Sequence, residues 1–129
     1  MANAASFLTK AEESLASAVS DLQGARYNAC ARNSYYALFQ AAVAALIDED
    51  VRPAGRWEHK FVDARFSGLL VYRRKRYSAR FRAVLSEAFR VRVSADYTDQ
   101  PTLAAKARHT LESARELVMV VKERQDGHS

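Results

Sequence analysis

The sequence predicts an all-α protein, an antiparallel bundle of four to five helices, and three observations indicate this fold. Apolar residues recur every three or four positions through most of the 129 residues, as they do on one face of a helix. Four Gly and two Pro are too few for the many turns of an all-β domain. No long stretch alternates apolar and polar residues as a strand does. We expect one helical domain over residues 1–124 and a frayed tail over residues 125–129.

The first two helices form the amino-terminal half. The first starts between Asn3 and Thr9, where Thr9 and Glu12 have the spacing of a capping box, and it ends before Gly24. The second covers residues 27–48 and is apolar on nearly every side, which is typical of a central helix that contacts several neighbours.

Three more helices are predicted after the Pro- and Gly-containing loop. A third helix covers residues 57–69, and the arginine-rich residues 72–77 follow it as a loop. A fourth covers residues 78–93. The fifth begins at Pro101, a residue well suited to a first helical position, and continues to about Arg124.

The composition indicates a soluble cytoplasmic protein. The single cysteine, Cys30, lies in an apolar run and cannot form an internal disulfide, which favours a reducing compartment. The amino-terminal MANAASFLTK lacks the basic start and the long apolar run of a signal peptide. The longest apolar stretch, residues 41–47, is too short to cross a membrane. We therefore expect no membrane association.

The positive charge is concentrated in one third of the chain. Nine of the 20 basic residues but only one of the 15 acidic residues lie between Arg65 and Arg92, although the net charge of the whole chain is only +5. Within this segment, residues 72–82 mix aromatic residues with the arginines Arg73, Arg74 and Arg76. Aromatic and arginine side chains together bind single-stranded nucleic acid by stacking and by phosphate contacts. A solvated surface and an acidic protein partner remain equally open interpretations.

The stretch RNSYYALF, residues 32–39, places polar groups inside the most apolar helix. Arg32 and Tyr36 are four residues apart and so share one side of that helix. A buried arginine needs an acidic partner, and Asp96 in VRVSADY is the candidate. We hypothesise a network of Arg32 and Tyr36 with Asp96 and Tyr97. It either sets the helix register and a dimer interface, or lines a groove for a nucleotide or RNA phosphate; alternatively, Arg32 lies at the helix edge with its head in water.

Several common kinds of site are excluded. There is no P-loop and no Gly-rich dinucleotide turn. His59, His109 and His128 are far apart, and with one cysteine they do not form a zinc site. No serine or cysteine has the setting of a catalytic triad. We expect neither a metal nor a cofactor.

RNSYYALFQAAVAAL, followed by His59 in WEHKFV and then by RVSADY, resembles the HEPN superfamily. The resemblance is to its small stand-alone prokaryotic members, which carry the motifs R-x-x-YYA-x-F and R-x-x-x-DY. KAEESLASA is also similar to the first helix of that group, so the resemblance covers residues 10–121. It implies a bundle of four to five helices and a homodimer. His59 matches a histidine usual in the group, and both a packing role and a functional role stay open for it.

The resemblance also implies a functional class. HEPN proteins are associated with nucleotides or nucleic acids; many are metal-independent ribonucleases, often toxins, and many are encoded beside a small nucleotidyltransferase. The nuclease members use an arginine followed four to six residues later by a histidine. After Arg92 those positions hold Tyr97, Thr98 and Asp99, so the histidine is missing. A tyrosine is a poor general base at neutral pH, which argues against ribonuclease activity.

Three functions follow as expectations. The first is a HEPN protein that binds nucleotide or RNA, lacks the catalytic histidine, and acts with a nucleotidyltransferase partner in a toxin–antitoxin or stress and defence system. Its expected binding residues are Arg32, Tyr36, Arg73, Arg74, Arg76, Arg92, Asp96 and Tyr97. The second is a metal-independent ribonuclease with an atypical site built on Arg92 and Tyr97. The third is a dimeric helical interaction module without a ligand.

Overall fold

The computed structural model describes residues 3–127, and helices joined by loops make up this part of the chain. The five α-helices are α1 (Ala4–Gln23), α2 (Tyr27–Asp48), α3 (His59–Arg65), α4 (Val84–Tyr97) and α5 (Ala104–Asp126). A π-helix, Phe66–Arg73, continues α3 directly, and a short 3-10 helix, Ala79–Phe81, precedes α4. This part of the chain contains no strand, which confirms the all-α prediction.

α1 begins earlier than a capping box at Thr9 would place it. Asn3 is the N-cap residue, and its side-chain Oδ1 accepts a hydrogen bond from the Ser6 amide at 2.8 Å. That bond satisfies one of the amides that the start of a helix leaves without a partner. At the other end, Ala25 takes a positive φ of 59° immediately after Gly24, and the chain turns there into α2.

α2 is the centre of the bundle. Residues 41–47 are buried without interruption, and alanine dominates the run, so neighbouring helices come close to its backbone. α1, α4 and α5 all pack against it. Leu38 and Leu46 are fully buried, and each contributes roughly 1.5–3 kcal/mol to stability through the hydrophobic effect. The apolar character of this helix on nearly every side is therefore explained by its neighbours.

The third helical segment is longer than its sequence pattern predicted. α3 and the π-helix run continuously over residues 59–73, whereas the pattern predicted an end at Leu69. The Leu69 carbonyl accepts a hydrogen bond from the Arg74 amide at 2.7 Å, a bond that spans five residues and widens the last turn. Lys75, with a positive φ of 52°, then ends the segment. The loop is consequently shorter than expected.

The fourth helix starts and ends later than predicted. Ser78 caps only the short 3-10 turn, where its Oγ accepts from the Arg80 amide at 3.4 Å. α4 begins at Val84 and continues to Tyr97, where the pattern predicted an end at Val93. The extension places the complete R-x-x-x-DY segment on a helix.

α5 also starts later than predicted. Its first residue is Ala104, three positions after Pro101. The loop before it is held to the start of α2, because the Thr102 hydroxyl donates to Asn28 Oδ1 at 2.7 Å. α5 then continues through Gln125 to its last residue, so the tail expected to fray over residues 125–129 starts with two helical residues. Residues 128 and 129 lie outside the described part of the chain.

The packing leaves an opening between two helices. Only three residues connect α1 to α2, so these two helices lie antiparallel, and α5 packs against both of them. α4 packs mainly against α2 and hardly touches α5. A groove therefore remains between α4 and α5 on one side of the bundle.

Candidate functional site

Asp96 joins two arginines that come from different helices. Its Oδ1 accepts a hydrogen bond from Arg32 Nε at 2.7 Å, and its Oδ2 accepts one from Arg92 Nε at 3.2 Å. The Asp96 side chain is only 14% exposed, whereas the Arg32 side chain is 39% exposed. One carboxylate thus pairs with two guanidinium groups, and the three side chains together keep a net positive charge.

Helical periodicity explains why these residues meet. Arg32 and Tyr36 are four positions apart on α2, and Arg92 and Asp96 are four positions apart on α4. Residues at that spacing lie one above the other on the same side of a helix. α2 and α4 pack together, so the two pairs face each other across the seam between them. The pairing of Arg32 with Asp96 was predicted from the sequence, and the structure has it.

The Arg92 guanidinium packs over the rings of two tyrosines. Its guanidinium carbon lies 5.5 Å from the centre of the Tyr35 ring and 5.4 Å from that of the Tyr36 ring. Arg92 Nη2 also donates to the Tyr36 hydroxyl over a long 3.5 Å. Because the aromatic faces and Asp96 fix the guanidinium, it is held in one orientation while 22% of the side chain stays exposed. We call the set Arg32, Tyr35, Tyr36, His59, Arg92 and Asp96 the Arg92 cluster.

His59 belongs to this cluster through Tyr35. The Tyr35 hydroxyl and His59 Nδ1 are 2.8 Å apart, and the histidine ring stacks on Phe89 with centroids 3.9 Å apart. Tyr35 is only 3% exposed, and His59 Nδ1 is the one acceptor that its hydroxyl reaches among the described residues. The tyrosine therefore donates and Nδ1 accepts, which leaves the proton of the neutral imidazole on Nε2. His59 Nε2 has no hydrogen-bond partner in the described part of the chain.

Burial favours the neutral form of His59 by lowering its pKa. Removal from water lowers the pKa of His59 because it disfavours the charged imidazolium. Asp63 acts in the opposite direction, and the positive charge of Arg92 lowers the pKa of His59 further. Burial also raises the pKa of Tyr35 well above its usual range, so its hydroxyl stays protonated and remains a hydrogen-bond donor.

Tyr97 lies outside the network that it was expected to join. It is the last residue of α4, and its side chain is 72% exposed. Consecutive helical residues point about 100° apart, so with Asp96 turned towards α2, Tyr97 is turned towards solvent. The network is therefore formed by Arg32, Tyr36, Arg92 and Asp96, without Tyr97.

The arginine-rich stretch divides into two kinds of residue. Arg74 and Arg76 both pair with Glu49, at 3.1 and 3.3 Å, so Glu49 balances part of their charge. Arg73 is exposed and has no acidic partner within the described residues. Tyr72 beside it is 61% exposed, and the guanidinium carbon of Arg82 lies 5.4 Å from the centre of the Tyr72 ring. We call Tyr72, Arg73, Lys75 and Arg82 the exposed basic strip.

The Arg92 cluster and the exposed basic strip lie far apart along α2. Arg32 is in the second turn of α2. Glu49, which pairs with Arg74 and Arg76 next to the strip, directly follows the last residue of α2. At about 1.5 Å per residue, these two positions are about 25 Å apart along the helix axis. The two sets of basic residues therefore do not line one pocket.

Sequence reasoning missed the connection between Tyr35 and His59. The two residues lie 24 positions apart, with a loop between them, and no helical spacing relates them. The histidine was recognised only as a residue usual in a family group. A buried tyrosine that needs an acceptor was the one signal available, but the sequence does not say which acceptor it finds.

Neither a metal site nor a membrane span is found among the described residues. No group of three or more His, Cys, Asp or Glu side chains is arranged to hold a metal ion in this part of the chain. His128 lies outside it. The described helices also include none with the length and apolar character needed to span a bilayer.

Comparison with protein families identifies the fold. A family model described as the HEPN domain matches residues 4–124, which is nearly the whole chain. The chain therefore belongs to the HEPN family, and the family membership predicted from its sequence is confirmed. Comparison with curated proteins gives no match.

Proposed function

We propose that this HEPN protein binds the phosphate of RNA or of a nucleotide at the Arg92 cluster, without cleaving it. One observation carries the proposal: Asp96, Tyr35 and Tyr36 fix the Arg92 guanidinium, yet the side chain remains 22% exposed. A guanidinium held in this way presents its outer N–H groups in the planar fork that matches two phosphate oxygens. Arg32, which is more exposed, adds a second cation beside it.

The exposed basic strip is proposed as a second contact for a longer RNA. Tyr72 offers an open aromatic face on which a base stacks, and Arg73 and Lys75 are exposed beside it. Arg74 and Arg76 contribute less, because Glu49 already balances part of their charge. An RNA that contacts both regions has to follow the bundle over about 25 Å along α2.

The biological setting is a proposal that rests on family membership. We propose a cytoplasmic homodimer that acts with a nucleotidyltransferase partner in a toxin–antitoxin or related stress and defence system. The missing histidine after Arg92 supports a binding or regulatory role over catalysis.

Fluorescence anisotropy with a labelled single-stranded RNA tests the binding proposal. Arg92→Ala is expected to weaken binding about tenfold or more, because a hydrogen-bonded ion pair with phosphate is lost. Arg92→Lys keeps the charge but loses the fork, so intermediate affinity is expected. Arg108→Ala removes the same charge from an exposed position on α5 and serves as the matched control, with an affinity near that of the wild type.

Two results would contradict the proposal. Equal losses for Arg92→Ala and Arg108→Ala would mean that only overall charge matters. Absence of any binding at low salt, with folded protein confirmed by circular dichroism, would leave a helical interaction module without a ligand of its own.

A metal-independent ribonuclease is the second candidate function, and the position of His59 favours it. His59 and Arg92 both contact Tyr35, so a histidine does lie beside the phosphate-binding arginine, although it comes from α3. RNA cleavage by attack of a 2′-hydroxyl needs a phosphate-binding cation and a group that transfers protons, and imidazole does the latter near neutral pH. Tyr97, exposed at the end of α4, is the other candidate second residue.

A cleavage assay with mixed single-stranded RNA in EDTA decides between the two functions. Cleavage by the wild type that disappears in both Arg92→Ala and His59→Asn would establish a nuclease built on these two residues. Cleavage that disappears in Tyr97→Phe but persists in His59→Asn would place the second role on Tyr97. Intact RNA with the wild type would exclude catalysis and leave phosphate binding.

A further inference from the structure

A groove of about 570 Å³ runs between α4 and α5. It exists because both helices pack against α2 while hardly touching each other. Its lining includes the small buried residues Ala88 and Thr110. Arg90, which lines the groove, and Arg92 are two positions apart and so point about 200° apart around α4. The groove and the Arg92 cluster therefore open on different sides of this helix.

Three basic side chains line the groove. Arg90 belongs to α4, while Lys106 and His109 are three positions apart on α5 and share one side of it. None of the three has an acidic partner within the described residues, in contrast to Arg32, whose charge Asp96 balances. The acid in the lining is Glu87, and it forms no ion pair with them. Unbalanced cations along a concave surface raise the local potential and attract an anion.

Two of the hydroxyl groups in the lining, those of Thr102 and Thr110, are already used by the fold. The Thr110 hydroxyl donates to the Lys106 carbonyl at 2.9 Å, and the Thr102 hydroxyl donates to Asn28 at 2.7 Å. The polar side chains that remain available to a ligand include those of Arg90, Lys106 and His109. The charges of Arg90 and Lys106 favour a negatively charged ligand in the groove.

Part of the remaining lining is aliphatic. Val84, Val91 and Leu103 supply apolar walls, and Leu103 is 71% exposed. The lining contains no Phe, Tyr or Trp, and the imidazole of His109 is its one aromatic ring. Its volume lies in the range of about 300–1,000 Å³ that is usual for small-molecule sites.

Charge argues against a second copy of this chain as the occupant. In a two-fold symmetric contact through the groove, the surface that carries Arg90, Lys106 and His109 would face the same surface of the second copy. Like charges brought together in a poorly solvated interface are destabilising. The chemistry of the lining therefore fits an anion better than it fits the same surface repeated.

We propose that the groove between α4 and α5 binds a small phosphate ester with a sugar or aliphatic body, through Arg90, Lys106 and His109. The arginine supplies a planar fork for two phosphate oxygens, and the lysine on the facing helix supplies a compact charge. The aliphatic walls cover the body of the ligand. This site is separate from the one proposed for RNA phosphate and does not depend on it.

Titrations followed by two-dimensional ¹⁵N–¹H NMR test the proposal with three probes: inorganic phosphate, ribose 5-phosphate and AMP. Saturable shifts are expected for the amides of residues 88–94 and 103–110. Ribose 5-phosphate should bind more tightly than inorganic phosphate because it adds contacts to the walls. AMP should bind no more tightly than ribose 5-phosphate, because no Phe, Tyr or Trp in the lining offers the base a large stacking surface.

Variants of Arg90 and Lys106 test whether these two side chains bind the phosphate. Arg90→Gln and Lys106→Gln should each weaken ribose 5-phosphate binding about tenfold, the loss expected for one charge-assisted hydrogen bond. Arg108→Gln removes one charge from the same helix outside the groove and should leave the affinity unchanged. All three are surface changes, and unfolding curves confirm that the fold persists.

Each of the following results would overturn the proposal. One is the absence of saturable shifts with all three probes. Another is shifts confined to residues around Arg32 and Arg92, which would move phosphate binding to the other site. A third is the same loss of affinity in Lys106→Gln and Arg108→Gln. Binding of AMP tenfold tighter than ribose 5-phosphate would overturn the assignment of a non-aromatic body.

Discussion

Arg32 and Asp96 lie 64 positions apart in the chain, and their side chains meet at 2.7 Å between α2 and α4. Asp96 also accepts a hydrogen bond from Arg92 at 3.2 Å. Loss of Arg32 therefore leaves the carboxylate paired, whereas loss of Asp96 leaves two guanidinium groups side by side without an anion. The two ends of this ion pair are not equivalent, and mutation of each should show it.

A double-mutant cycle on Arg32→Ala and Asp96→Ala measures the pair. We expect Asp96→Ala to lower the free energy of unfolding more than Arg32→Ala does, because only the former leaves uncompensated charges. We expect a coupling energy of about 1 kcal/mol, kept small by the partial exposure of Arg32. Urea unfolding of the four proteins gives both quantities.

The exposed pair Arg115 and Glu112 is the matched control for this cycle. These residues are three positions apart on α5, and both side chains are about half exposed. Their coupling energy should not exceed about 0.5 kcal/mol. Additive effects at Arg32 and Asp96 would show that their contact contributes nothing to stability.

Because of His59, the free energy of unfolding should decrease as the pH is lowered below neutrality. Burial lowers the pKa of His59 in the folded state below the ordinary value of 6.5. Below pH 6.5 the unfolded chain therefore binds a proton that the folded chain does not, and the free energy of unfolding decreases as pH falls towards the folded-state pKa. Protonation also forces Nδ1 to donate to Tyr35, whose own proton then loses its acceptor. Urea unfolding between pH 7.5 and pH 5 measures the slope.

His59→Asn should flatten this slope, since asparagine does not titrate and its side-chain oxygen still accepts a hydrogen bond. His109→Asn is the control: His109 is exposed, so its replacement should leave the slope as it is. An unchanged slope in His59→Asn would assign the pH dependence to other groups.

The two adjacent tyrosines should respond differently to loss of their hydroxyl groups. Tyr35→Phe removes the donor to His59 at 2.8 Å in a buried setting, and a loss of about 1 kcal/mol in stability is expected. Tyr36→Phe removes only a long contact of 3.5 Å at a partly exposed position, so a change within about 0.5 kcal/mol is expected. Thermal and urea unfolding compare the two. Equal effects would mean that the Tyr35–His59 bond does not stabilise the fold.

Periodicity made the helices and one contact of the site predictable. The apolar run of α2 indicated a central helix, and an arginine inside it favoured a carboxylate partner, for which Asp96 was the candidate before the fold was known. Both arguments depend only on local spacing and on the cost of burying a charge. They hold wherever the chain folds into a bundle.

Tertiary packing decided what the sequence pattern left open. The end of α4 was misplaced by four residues, because a polar last turn has no apolar stripe and is held by contacts with α2 instead. Tyr97 was assigned to the network since it follows Asp96, yet the angle between neighbouring helical residues turns it to solvent. The link from Tyr35 to His59 and the groove between α4 and α5 depend on how separate segments are arranged in space, which spacing along the chain does not encode.

Substitution of Arg73 should affect mainly RNA binding, whereas substitution of its neighbour Arg74 should affect mainly stability. Arg73 is exposed without an acidic partner in the described residues, whereas Arg74 pairs with Glu49 at 3.1 Å. Arg73→Ala should therefore weaken binding of single-stranded RNA. It should also make the fall of log affinity with log salt less steep by about 0.7, the value for one phosphate contact. Arg74→Ala should change affinity less and lower the free energy of unfolding by about 0.5 kcal/mol. Anisotropy titrations at several salt concentrations and urea unfolding measure both variants. An equal fall in affinity for the two would show that the ion pair with Glu49 does not reduce the contribution of Arg74 to RNA binding.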